Sequence, residues 1–180
     1  MTTSKAIVLN LPVSLGNSAR MAVFAGLSVL SFPVPFYLGH PQWLVGTLVN
    51  ACLFLSIVFL PKNLFFPLIV LPSLAVLARG IIFGPFTPFL AYFLPFIWLG
   101  NLILILFFKK LYNFNYIFSL VASATAKFLF LTLIANIYFR FSIVPQMFLQ
   151  TMGILQFLTA LAGGIISLIV FKTWKTQVWK

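Results

Sequence analysis

The chain has 180 residues, of which 63% are hydrophobic and 6% charged, with eleven lysines and arginines and neither aspartate nor glutamate. A soluble domain is about 25% charged, so a water-facing globular surface is excluded and an integral membrane protein is left. Without carboxylates there is no carboxylate acid–base pair, no metal–carboxylate site and no Asp/Glu proton relay.

The formal charge of +11 does not point to nucleic acid. The basic residues sit between apolar runs, where they act as topology signals and lipid-headgroup contacts. The one cysteine, Cys52, excludes an internal disulfide and a cysteine metal cluster. It lies in an apolar run and reads as a packing residue. At about 20 residues per span, the length predicts an all-α bundle of six transmembrane helices.

Residues 1–18 read as an interfacial lead-in, because Pro12 and Gly16 interrupt any long helix. They lack the pattern of a secretory signal. The six-span domain then covers 19–172, and 173–180 form a basic tail. The first span is predicted over 19–38. Ala22 and Gly26 stand four apart in it, a small-xxx-small pair that lets another helix approach. His40 lies in the turn Gly39-His40-Pro41 and reads as a surface residue or a solute contact. The second span covers 42–60, with Trp43 at its interface end and Asn50 near its middle. The third, 64–77, is short and contains Pro67 and Pro72, so a re-entrant segment is the alternative.

The fourth span, 86–108, follows the break Gly84-Pro85-Phe86-Thr87-Pro88 and carries Trp98 and Asn101. Arg79 lies just before that break, where it can meet either lipid phosphate or a solute. The fifth span covers 115–139 and holds Lys127 near its middle. At about 1.5 Å per residue, roughly 18 Å of helix separates Lys127 from each end, too far for a lysine to snorkel. An ionisable residue at that depth is a functional candidate by default. Three states are open to it: a neutral amine, an ammonium bonded to carbonyls and amides such as Asn101, Thr125 or Gln156, or a cation awaiting an anionic ligand. The sixth span runs from Val144 or Thr151 to Phe171, with Gln150, Gln156 and the pair Gly163-Gly164.

Six spans place both termini on one side. With that side inside, the inner segments hold eight basic residues and the outer segments only Arg79 and Arg140. This asymmetry predicts cytoplasmic termini. No GxxxxGK[ST] or GxGxxG motif is present, so nucleotide hydrolysis in this chain is not expected. The single histidine has no acid to orient it, and an enzyme is not expected either.

The whole-chain pattern resembles the substrate-binding S components of energy-coupling factor (ECF) transporters. Ala22 with Gly26, the Gly84-Pro85 turn and the last span, QFLTALAGGIISLIVFK, carry the likeness. The resemblance implies six helices, cytoplasmic termini and a solute pocket near the outer ends of the last three spans. It also implies docking through the first span onto a membrane coupling subunit driven by two ATPases, so that ATP acts only through partners. Ala22 and Gly26 stand where the family has two alanines.

The expectation is thus a multi-pass subunit of the cell membrane with no cofactor of its own. It would bind a small solute through Arg79, Asn101, Lys127, Gln156, Trp98 and His40. Fixed cations without acids predict an anionic or strongly hydrogen-bond-accepting solute. The alternative is a non-catalytic structural or assembly subunit, using Ala22, Gly26, Gly163 and Gly164 as close-packing surfaces.

Overall fold

The computed structural model describes residues 13–38, 40–80 and 87–178. The described residues fold into helices α1 (Asn17–Ser31), α2 (Pro33–Tyr37), α3 (Gln42–Phe59), α4 (Phe65–Arg79), α5 (Thr87–Leu111), α6 (Tyr116–Arg140), α7 (Met147–Thr151) and α8 (Ile154–Val178). A 3₁₀ turn, Lys62–Leu64, leads into α4. Six stretches are long and apolar enough to cross a membrane: α1 with α2, α3, the 3₁₀ turn with α4, α5, α6, and α7 with α8. The chain is a multi-pass membrane protein.

The second span is the hub. Its hydrophobic window is 61% buried inside the protein, against 17% for the first span. α3 packs along α8, α5 along α6, and α6 along α8, while α1 rests on the outside of α3 and α4. The close α3–α8 seam requires Gly163. A Cβ there would stand 2.7 Å from both the Ala51 nitrogen and the Thr47 oxygen. Gly164 faces the other way, and its Cβ would meet Leu120 Cδ1 at 2.1 Å. Both glycines are therefore used within the chain, between α8 and its neighbours, and neither offers a surface to another subunit.

Prolines shape the outer spans. Phe32 separates α1 from α2, and Pro33 opens the second piece at a position where a missing N–H costs nothing. The sequence suggested two internal prolines in the third span. Pro67 instead falls in the first turn of α4, which needs no donor there, and only Pro72 is internal. With the 3₁₀ turn the third span reaches 18 residues, which is long and apolar enough to cross a membrane.

Pro72 has no N–H to give to the Leu68 carbonyl one turn back, and side chains bond to other carbonyls of the same stretch. Ser73 Oγ donates to the Val70 oxygen (3.0 Å) and Asn101 Nδ2 to the Ile69 oxygen (3.3 Å). Gly80 closes α4 with φ +69°, a left-handed cap that suits glycine. Its carbonyl accepts from Thr87 Oγ1 at 2.8 Å, joining α4 to α5. Asn115 caps α6 by accepting from the Ile117 and Phe118 amides.

The core has two parts. The larger joins α3 to its neighbours around Phe54, Leu68, Leu104 and Phe108. The smaller lies at the end away from the start of α1 and the end of α8, where Phe148 of α7 stacks on Phe93 at 5.3 Å. α8 does not stop at Phe171 but runs on to Val178.

Candidate solute site

A cavity of about 100 Å³ lies in the half of the bundle away from the start of α1 and the end of α8. Its walls come from the first half of α3, the second half of α4, the first half of α5 and the start of α8, with Pro35 of α2 beside them. Apolar side chains such as Val49, Val76, Leu90 and Leu155 supply most of the lining. The polar groups are Gln42, Asn50, Ser73, Asn101, Lys127, Gln156 and Thr159.

Lys127 anchors the site near mid-helix. It is 2% exposed, and its Nζ donates to Asn50 Oδ1 and Asn101 Oδ1, each at 2.8 Å. The surrounding carbonyls fix these directions. Asn50 Nδ2 donates to the Gly46 oxygen (2.9 Å) and to Thr159 Oγ1 (3.2 Å). The Thr159 hydroxyl is itself committed to the Leu155 oxygen at 2.8 Å. A backbone carbonyl can only accept. The Asn50 amide must therefore turn its NH₂ toward Gly46 and its oxygen toward Lys127. The Ile69 carbonyl fixes Asn101 in the same way.

An ammonium carries three donors. Two of them go to the asparagines, and no third acceptor stands against Nζ among the described residues. The Asn101 amide, engaged once through Nδ2, has a second N–H to give. The cavity thus offers donors beside an apolar wall, and with no acid anywhere in the chain it offers no anion of its own. Such a lining can hold a carboxylate, a phosphate or a carbonyl-rich solute.

Of the residues expected to bind solute, Asn101, Lys127 and Gln156 meet at this cavity. Gln156 Nε2 donates to the Thr151 oxygen at 3.3 Å. The other three lie outside the lining. Arg79 Nη1 donates to the Phe36 carbonyl and so pins the end of α2 to α4. Trp98 Nε1 donates to Ser73 Oγ at 2.7 Å, behind the cavity wall. His40 is exposed in the turn before α3.

Thr125, one expected partner of Lys127, instead donates to the Val121 oxygen of its own helix at 2.8 Å. Asn50, which read equally as helix glue or pocket lining, proves to be a direct partner of the lysine. Thr159 and Gly46 carried no sequence signal, because their part depends on the α3–α8 seam. A Cβ at Gly46 would lie 3.1 Å from Thr159 Cγ2. Ala22 and Gly26 are exposed on α1, and a Cβ at Gly26 would meet nothing within 4 Å.

No family model matches the chain, and no curated protein or solved structure is significantly similar to it.

Proposed function

We propose that this chain is the solute-binding subunit of an uptake system in the cell membrane, of the energy-coupling factor type. It captures a small anionic solute from the side opposite its termini and performs no catalysis. The observation that carries this reading is Lys127, buried at mid-bundle against two asparagine oxygens and lining a cavity in the half away from the start of α1 and the end of α8. A cation at that depth is expensive to keep, and this chain has no carboxylate to neutralise it. An incoming anion completes the site. The open face of α1 around Ala22 and Gly26 supports docking onto a membrane coupling subunit, with two ATPases supplying the energy and ATP bound only by them.

The test is thermal unfolding of the purified protein in detergent against carboxylates, phosphates, vitamins and metal ions. A ligand at about 100 times its dissociation constant adds about 2.7 kcal/mol. The expected result is stabilisation by one anionic class, abolished in a folded Lys127→Met variant. Stabilisation by neutral or cationic compounds, with carboxylates and phosphates silent, would sink the anionic reading. Silence across the whole panel would favour the assembly-subunit alternative and direct the search to co-purifying partners.

A further inference from the structure

A second concavity, of about 550 Å³, lies on the outside of the bundle between α4 and α5. It runs toward the end of the bundle where α1 starts and α8 finishes, away from the centre of the solute cavity. Along α5 its floor is Pro95, Leu99, Leu102, Leu106 and Lys109, spaced four, three, four and three apart. That spacing makes one stripe on one helix face. Phe66 of α4 forms part of the opposite wall and is 69% exposed, and Leu106 is 53% exposed. Lys62 and Lys109 close that end. Lys109 Nζ lies over the Phe65 ring at 5.6 Å from its centroid, which holds the ammonium at the rim.

The dimensions and charges fit one kind of occupant. The stripe from Pro95 to Lys109 is roughly 21 Å long at about 1.5 Å per residue. One leaflet of hydrocarbon is roughly 15 Å deep, half of the bilayer core. The groove therefore spans one leaflet, with its two lysines at headgroup level. Those lysines have no acidic side chain to offset them, because the chain has none.

We propose that this groove binds one anionic phospholipid, its acyl chain lying along the α5 stripe and its phosphate held between Lys62 and Lys109. The groove shares a wall with the solute cavity, because Trp98 and Ile69 line the groove and bond to Ser73 and Asn101, which line the cavity. A lipid there would bridge α4 and α5, which the Trp98–Ser73 and Asn101–Ile69 bonds already join.

The experiment is native mass spectrometry of the detergent-solubilised chain, titrated with phosphatidylglycerol and with phosphatidylcholine of identical acyl chains. Phosphatidylglycerol should bind the more tightly. The double variant Lys62→Gln, Lys109→Gln should lose roughly thirtyfold of that affinity, on the scale of about fivefold per lysine. The double variant Lys172→Gln, Lys175→Gln removes the same charge elsewhere and should keep it. Leu102→Trp, which fills the groove without changing charge, should also weaken binding.

Equal binding of the two lipids would overturn the proposal. So would an equal loss in the Lys172, Lys175 variant, or no effect of Leu102→Trp. Displacement of the lipid by glycerol phosphate at matching concentration would overturn it too, since it would reveal a free-anion site.

Discussion

Lys127 shows how one residue can be legible by depth and illegible by partner. Its distance from both helix ends follows from counting, and counting is enough to single it out. Its partners lie 77 and 26 residues away in the chain, and no local pattern marks Asn50 above Gln150 or Asn136. Asn136 donates to its own helix at Thr132. Asn50 makes the same bond to its own helix, at Gly46, but it also reaches Thr159 of α8 and Lys127 of α6, and Asn101 gives its NH₂ to the Ile69 carbonyl of α4. Arg79 is the opposite case. Its place beside a break suggested a ligand or lipid phosphate, and the nearby end of α2 presents a carbonyl that engages one of its five N–H donors. Asn101→Leu removes one acceptor from the buried amine and frees the Ile69 carbonyl. A bond to a charged group contributes about 1.5–3 kcal/mol. A loss of that size is expected in denaturant unfolding, together with weakened solute binding. An unchanged stability would mean that the amine does not need Asn101.

At the scale of helices, the site depends on how closely α3 and α8 approach. Gly163 permits that approach, and the atoms a side chain would strike there are backbone atoms of Thr47 and Ala51 together with Asn50 Cβ. Backbone in the middle of two packed helices has little room to yield. Gly164 is crowded by Leu120, a flexible side chain that can turn away. Gly163→Ala is therefore expected to cost more than Gly164→Ala, about 1–3 kcal/mol by the usual scale of overpacking. It should also displace Asn50 and weaken solute binding. Thermal unfolding of both variants with and without solute checks this, and the reverse order would mean that the seam relaxes by sliding α8. α1 behaves differently. Its small-residue face is exposed, so Ala22 and Gly26 are free for an outside helix in a way that Gly163 and Gly164 are not.

For the molecule as a whole, the six-span count, the burial of the second span and the asymmetry of charge agree with one another. Counted along the sequence, eight basic residues fall in the segments that a six-span chain puts on the side of its termini and two in those on the other side. Positive charge is retained in the cytoplasm, so both termini are expected there. A fluorescent reporter that matures only in the cytoplasm, fused after Lys180, should be bright. A dark reporter beside an active periplasmic one would invert the orientation and place the solute cavity on the inner side.

The amino-acid sequence by itself determined that this is a six-helix membrane protein, because hydrocarbon demands long apolar runs and every run is visible in the chain. It also determined that an ionisable group lies at mid-depth, because the helix rise converts position into depth. Tertiary structure alone decided which polar residues converge. Within a membrane, helices associate through packing and small residues rather than through the hydrophobic effect. The pairing of α3 with α8 and of α5 with α6, and hence the meeting of Asn50, Asn101 and Lys127 at one cavity, follows from complementary surfaces that a linear pattern does not display.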